Sequence, residues 1–556
     1  MDAPFSFRTR AATLESLATD TVDLLVIGGG VTGAGIARDA AMRGIRTALV
    51  DKGDFGSGTS SRSSRLVHGG LRYLEHRHWR LVFEASRERR ILLRIAPHLV
   101  WPRSFLFPVH AGSRVPRWKL AAGLWLYDLL ALFRNVRRHR MLGKRAMVRA
   151  EPGLRARGLK GGARYFDAQC DDARLALANV RDAHQHGAAV LNYVAVERLE
   201  SPDGHVRGAR VRDLVTDTPY TFRAHVVVNA TGPWSDDLRG AQRDDRMLYR
   251  TKGCHVVVRR HRLGNNEALT LTSPIDGRVM FIVPWGGLSY IGTTETPLKS
   301  PPEEVRATAD DVIYLLRSAN AFFPDARLTP ADVVATWAGV RPLVQQADTA
   351  DPMAVSREHV IHESAQGLVS IVGGKLTTYR SMAAEVVNVV AKRLHAMDGR
   401  TLPPKAPTAR EPLPGGAAHD LDVLIETTEA DGFSRTVATH LVHTYGSETP
   451  AVARLAQSEP RLADQVVPDH PTLWAELLYA MRREMAITLS DLLVRRTHLF
   501  YTAPQAVLDR AATIADFAAA EMDWDGERRG AELAAYEEEV RRSIEFRESL
   551  SGDSGA

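Results

Sequence analysis

The stretch VDLLVIGGGVTGAGIARDAAMRGIRTALVD, residues 22–51, constrains this chain more than any other. Val22 to Ile27 is a short apolar run of the kind that makes a strand buried on both faces. It runs straight into Gly28-Gly29-Gly30-Val31-Thr32-Gly33, which fits G-x-G-x-x-G. Helical spacing continues from Ile36 to Arg43 and Gly44 ends it. A second β-rich run, Ile45 to Val50, then finishes on Asp51. This order predicts a Rossmann-type α/β domain, and each part has a physical task in holding a dinucleotide. Gly28 makes the tight turn, Gly30 lets the backbone approach a pyrophosphate, and Gly33 lets helix pack on strand. The helix start offers unpaired N–H groups and a partial positive charge to the phosphates. The Asp51 carboxylate accepts from ribose hydroxyls.

The chain of 556 residues is too long for a single core, so two or three domains are expected. Its mean hydropathy of −0.20 argues against a polytopic membrane protein. A net charge of +6 suits anionic small molecules or an anionic lipid surface. No nucleic-acid motif or strongly basic tail accompanies it, so nucleic acid is not expected as a partner. Cys170 and Cys254 stand far apart with no C-x-x-C, which excludes a disulfide scaffold and a structural zinc and fits an intracellular chain. No metal site is expected.

Residues 1–20 read as a polar leader without a secretory pattern. Residues 53–76, GDFGSGTSSRSSRLVHGGLRYLEH, are dense in Gly, Ser and Thr, with Arg62, Arg65, His68 and Arg72 among them. Hydroxyls and exposed N–H groups both donate to phosphate, so this run can wrap an extended anionic ligand. Residues 79–95 predict a charged amphipathic helix. Residues 117–134, RWKLAAGLWLYDLLALFR, are the most apolar stretch, yet shorter than the roughly 20 residues that cross a bilayer. Two readings stay open: a buried helix, or one lying on a membrane surface, with the basic run at 134–140 toward anionic lipid. A helix over 171–187 is followed by strand-like runs, the last ending at Ala230-Thr231-Gly232, where backbone again approaches the dinucleotide. Residues 251–344 read as a β-rich second domain. Residues 367–394 repeat the opening logic, with a strand, Gly373-Gly374, and a long helix starting near Thr377. A domain boundary is expected at Pro-rich residues 402–414, helices to about residue 545, and a disordered tail.

The motifs VIGGGVTGAGIARDAAMRG, TSSRSSRLVHGGLRYLEH, VNATGPWSD, IGTTET, GVRPL and GGKLTTYR occur in this order. Together they resemble the FAD-dependent, quinone-linked glycerol-3-phosphate dehydrogenases over about residues 20–400. The helical part, with ITLSDLLVRRTHL at 487–499, is similar to that family's C-terminal domain. The resemblance implies a discontinuous FAD domain (residues 21–250 and 345–400), a β-sheet substrate domain at 251–344, a linker at 401–414, and an all-α domain at 415–545. It also implies a homodimer on the cytoplasmic face of a membrane, passing electrons from glycerol 3-phosphate to quinone. The family's FAD site maps onto Gly28, Gly30, Gly33, Asp51, Thr59, Ser60, Ser64, His68, Gly232, Gly374, Lys375, Leu376 and Thr377. Its active site maps onto Arg72, Tyr73, His255, Arg341 and Lys375. Three positions depart from the family pattern: Asp51 for glutamate, Arg65 for lysine and Cys254 for serine.

The chemistry fits these residue types. Oxidising a secondary alcohol needs its proton removed while hydride leaves the carbon. The arginine fork of Arg72 or Arg341 suits a dianionic phosphate, with Tyr73 adding a donor. Histidine accepts a proton near neutral pH, which points to His255, with His68 as the other candidate. The positive charge of Lys375 favours reduced, anionic flavin. No histidine or cysteine stands in a flavin-attachment pattern, so FAD is expected to bind noncovalently. Quinone and oxygen as acceptor are not separated by these residues, and an oxidase of the same substrate or of a small amino acid is the alternative.

Overall fold

The computed structural model describes residues 5–70, 79–240, 245–345, 358–418 and 420–552. Arg72 and Tyr73 lie outside these described residues.

The first sheet is built on the parallel trio Thr218–Asn229, Thr21–Ile27 and Thr47–Val50, extended by Ala189–Leu191 on one side and Val369–Gly373 on the other. Leu24, Leu25 and Val26 are fully buried, because helices cover one face and the helix Arg10–Thr19 with the strands Val194–Glu200 and Gly208–Asp213 covers the other. The helix Val31–Met42 follows the glycine turn, and Asp172–Gln185 and Tyr379–Asp398 pack against it. Small residues set that approach. A Cβ at Gly35 would stand 2.9 Å from the Tyr379 ring. Asp171 caps its helix by accepting from the Arg174 N–H, as its place before an apolar-periodic run requires.

The second sheet corrects the expected domain boundary. Besides Leu248–Arg259, Val279–Trp285, Leu288–Gly292 and Val333–Val344, it takes in Val100–His110, Leu159–Cys170 and Leu66–Val67. Those three strands come from the segment assigned wholly to the FAD domain. Val100–His110 runs antiparallel to Leu159–Cys170 and parallel to Ala268–Thr272, so backbone pairing alone binds the two stretches. The helix Arg117–Leu130 packs on this sheet through Leu120 and Leu124, not on the dinucleotide fold.

The C-terminal part is helical from Leu421, and its aromatic and aliphatic core is continuous with the second sheet. The proline-rich boundary is fastened down: the buried Arg38 guanidinium donates to the Thr408 and Glu411 carbonyls. Of the expected disordered tail at 546–556, Phe546–Gly552 is a helix, with Phe546 buried against the second domain, and residues 553–556 lie outside the described residues. Phe546 and Leu550 pack on that core and Arg547 donates to the Val333 carbonyl at 2.7 Å, which anchors a segment whose polar composition suggested disorder.

Truncating Leu25 to alanine, in the strand central to the parallel trio, is expected to cost about 2–5 kcal/mol through lost burial and a residual cavity. Differential scanning calorimetry of Leu25→Ala checks this, and an unchanged transition would contradict it.

Candidate active site

A single cavity of about 1270 Å³ runs from the glycine turn to the second sheet. Its first wall is the dinucleotide turn. Gly28 has φ +108°, and a side chain there would strike the Ala230 carbonyl at 2.6 Å. A Cβ at Gly33 would lie 1.8 Å from the Gly28 oxygen. Gly30 precedes the helix, and the first helical N–H, that of Val31, donates to the Ser60 hydroxyl at 2.9 Å. The Asp51 carboxylate accepts from Gly29 N–H at 2.6 Å and Gly53 N–H at 2.8 Å. Its pKa is pushed up to about 6, chiefly by burial, with those two N–H groups opposing.

The opposite wall is the second glycine turn. Gly373 and Gly374 have φ +79° and +100°, and a Cβ at Gly374 would overlap Met382. Lys375 and Leu376 follow on the cavity wall, and the Thr377 hydroxyl bridges the His68 N–H and carbonyl at 3.2 and 3.3 Å. Gly232, at φ +57°, lines the cavity where the Thr218–Asn229 strand has ended. Two short left-handed turns and one acidic strand end form a cradle that side chains cannot fill, which is the shape a dinucleotide cofactor requires.

The serine-rich loop ties this cradle to the second sheet. The Thr59 hydroxyl donates to the Val340 carbonyl at 2.6 Å, and the Arg62 carbonyl sits where a Cβ of Gly339 would be, 2.6 Å away. Trp337 donates its indole N–H to the Ser63 carbonyl at 3.0 Å, and Tyr290 its hydroxyl to the Ser64 carbonyl at 3.0 Å. The Ser64 hydroxyl lies 2.9 Å from His255 Nε2.

Strand register places the two charged candidates. In the antiparallel pair of Leu248–Arg259 and Val333–Val344, His255 faces Trp337, Gly253 faces Gly339, and Thr251 faces Arg341. Side-chain alternation puts all six on one sheet face, with the glycine pair as a notch between His255 and Arg341. The Arg341 guanidinium donates to the Thr293 hydroxyl at 2.8 Å and the Thr294 carbonyl at 3.2 Å, with the Glu295 carboxylate at 3.7 Å. The His255 ring is stacked on Trp337, centroids 4.8 Å apart. A Cβ at Gly292 would overlap that ring. Burial, then Arg341 and Arg65, hold the imidazole well below its ordinary pKa, so it is neutral.

Sequence reading missed the supporting cast: Gly253, Gly292, Gly339, Trp337, Tyr290 and Thr293. For Gly292, Thr293 and Gly339 the signal was present in IGTTET and GVRPL, but it needed the strand register to become readable; Gly253, Tyr290 and Trp337 lie outside both motifs. No group of three or more potential metal ligands gathers among the described residues.

Comparison with known proteins fits this geometry. Residues 23–380 match the model of the FAD dependent oxidoreductase family, and residues 406–529 match that of the C-terminal domain of alpha-glycerophosphate oxidase. The chain is 37% identical over 540 residues to the aerobic glycerol-3-phosphate dehydrogenase of Staphylococcus aureus, covering 95% of each chain. It belongs to the FAD-dependent glycerol-3-phosphate dehydrogenase family. Within that family, the glycerol-3-phosphate dehydrogenase from Bacillus halodurans complexed with FAD superposes with a TM-score of 0.81 at 34% identity, over 98% of this chain and 99% of that one. The L-alpha-glycerophosphate oxidase from Mycoplasma pneumoniae, 19% identical with a TM-score of 0.56 over 71% of this chain and all of that one, shares the fold. The cofactor is FAD, and the glycine cradle with Asp51 at its end fits it.

The raised pKa of Asp51 has a binding consequence. Below about pH 6 the carboxyl is protonated and loses acceptor capacity toward a ribose hydroxyl, so FAD affinity should weaken as pH falls through that value. Fluorescence titration of the stripped protein with FAD between pH 5 and 8 (about the range in which such a group titrates) measures it. Asp51→Asn should flatten the dependence.

Proposed function

We propose that this chain oxidises sn-glycerol 3-phosphate to dihydroxyacetone phosphate and delivers the electrons to a membrane quinone. The observation that carries this reading is the pair His255 and Arg341 on one sheet face lining the cofactor cavity, with the glycine pair between them leaving room for the Arg341 guanidinium and the Arg62 backbone. Arg341 binds the phosphate through its planar fork, held in aim by Thr293 and Thr294. His255, neutral and fixed between Trp337 and Ser64, takes the proton of the C2 hydroxyl. FAD, bound noncovalently, supplies at N5 the acceptor for the hydride that leaves C2. Lys375, on the cavity wall, brings positive charge to that end of the site. Arg72 and Tyr73 complete the anion pocket in this proposal, on the resemblance of their motif alone.

The helix Arg117–Leu130 supports quinone over oxygen. Leu120, Gly123 and Leu126 line the cavity, while Trp118 (74% exposed), Trp125 (56%) and Leu129 (53%) face outward. Trp79 and Phe83 of the neighbouring helix Trp79–Ile95 are exposed too, and the basic run at 134–140 follows. Exposed apolar side chains on two neighbouring helices, with arginines following, suit the interface of an anionic bilayer. No helix among the described residues is long and apolar enough to cross a membrane. We therefore infer peripheral attachment to the inner face of the cell membrane, with a lipophilic acceptor entering beside this helix.

Adding glycerol 3-phosphate to the holoprotein without oxygen should bleach the flavin, and a water-soluble quinone should restore its colour faster than air. Restoration that is faster in air would favour the oxidase alternative. Arg341→Ala should keep FAD bound and lower kcat/KM by about two to three orders of magnitude, the expected loss when a buried charge pair is broken. An unchanged kcat/KM would remove Arg341 from the site.

For the membrane, the protein should sediment with vesicles containing anionic phospholipid at low salt. Replacing both Trp118 and Trp125 by serine should leave it in the supernatant with its activity toward soluble acceptors intact. Wild-type protein that stays wholly in the supernatant would contradict the attachment.

A further inference from the structure

The stretch ITLSDLLVRRTHL, residues 487–499, takes no part in the chemistry above, yet Asp491, Leu492, Leu493, Val494, Arg495 and Arg496 are all buried. Its backbone widens there into a π-helical turn over Asp491–Arg496, which brings two consecutive arginines toward one carboxylate. That carboxylate is Asp54, in the loop after the second strand of the FAD fold. It accepts from Arg495 Nε at 2.6 Å and from Arg496 Nη1 and Nη2 at 2.7 and 2.9 Å. Arg496 also donates to the Glu484 carbonyl at 2.9 Å, and Arg495 to Asp491 at 2.5 Å. Breaking such a buried, fully bonded pair leaves an uncompensated charge, so the geometry is tightly determined.

The clamp reaches the cofactor cradle through short backbone links. Ser57 N–H donates to the Asp54 carbonyl, and Gly56 N–H to the Gly29 carbonyl, both at 3.0 Å. On the other side of the loop, Tyr193 N–H donates to the Gly53 carbonyl at 3.0 Å, and Val194 N–H to the Asp51 carbonyl at 2.7 Å. Tyr193 in turn donates its hydroxyl to Asp491 at 2.6 Å. The same C-terminal segment therefore grips both walls of the loop that carries Asp51.

Its far end reaches the other half of the site. His498 Nε2 lies 2.6 Å from the Asp171 carboxylate. The Tyr501 ring stands 5.5 Å from Trp337, the ring on which His255 is stacked. Tyr501, Trp337 and Trp285 enclose the Arg65 guanidinium, 4.1 Å from the Trp285 ring, with the Asp172 carboxylate 3.6 Å from its Nε. Lysine, a compact and strongly hydrated charge, would not stack in this box as a planar guanidinium does.

We propose that residues 484–501 are a positioning element of the redox site, in which Arg495 and Arg496 fix the FAD loop through Asp54, and Tyr501 fixes the aromatic wall behind His255. The C-terminal domain thereby sets both ends of the cavity, without touching substrate or cofactor. The Tyr501 arm rests on the reading of His255 as proton acceptor; the Asp54 arm rests only on the FAD cradle.

The test uses the full-length holoprotein with two readouts: FAD dissociation constant by fluorescence, and the rate of anaerobic flavin bleaching by glycerol 3-phosphate at saturating FAD. Arg496→Ala is expected to raise the dissociation constant about ten- to a hundredfold, the size of effect a lost buried charge pair can transmit. Its bleaching rate should fall by much less. Tyr501→Ala is expected to do the reverse, with Tyr501→Phe restoring the wild-type rate, because the ring and not the hydroxyl does the packing. Should Arg496→Ala fail to fold, Arg496→Lys keeps the charge but loses the fork, and an intermediate rise is expected. Wild-type FAD affinity in the arginine variant that folds would overturn the proposal. So would equal losses in both readouts for both variants that simply track a lowered melting temperature. His255→Asn is measured alongside: if it bleaches as fast as the wild type, the base assignment falls, and the clamp is judged on FAD affinity alone.

Discussion

The loop from Thr59 to Ser64 lies across the glycine notch of the second sheet, and the site exists because it does. One end of this loop caps the dinucleotide helix through Ser60, and the other touches His255 through Ser64. Thr59 and Ser63, beside these two serines, are bonded to the strand that carries Arg341. Each contact is a single hydrogen bond worth about 1 kcal/mol net. Their effect is positional: they fix the distance between the FAD cradle on one sheet and the His255 and Arg341 side chains on the other.

Glycines make that close approach possible, in two distinct ways. Gly28 and Gly374 are needed for their backbone conformation, with φ values that other residues rarely adopt, as well as for the space beside Ala230 and Met382. Gly292 and Gly339 are needed for space, because a single carbon at either position would overlap the His255 ring or the Arg62 backbone. The first kind belongs to a turn signature and announces itself. The second kind sits inside strands, where glycine weakens pairing, and its value shows only when the neighbouring side chain is known.

Buried charge pairs join the elements around this core. Arg38 bonds Asp182 across two helices, Arg380 bonds Glu88, and Arg89 meets Asp167 and Tyr127. Pairs like these gain little net stability over apolar packing, but each disfavours any arrangement that separates its partners. In a chain whose C-terminal helices must meet two sheets at once, that orientational restraint is the useful property.

The local stretches were legible from residue order: the strand–turn–helix–strand at 22–51, the helices starting near residues 79 and 171, and the repeated glycine turn at Gly373-Gly374. Each rests on interactions within a few residues, such as side-chain periodicity and capping, and periodicity is a property of sequence. The role of Val100–His110 and Leu159–Cys170 was not legible, because strand partnership depends on pairing between distant segments. Nor was the seat of His255, whose wall is assembled from residues 64, 292 and 337. By itself the sequence determined the local strand–turn–helix elements and the two glycine turns that shape the FAD cradle. The tertiary structure alone decided their spacing, and the burial that leaves His255 neutral beside Arg341, because desolvation depends on what packs around a group in space.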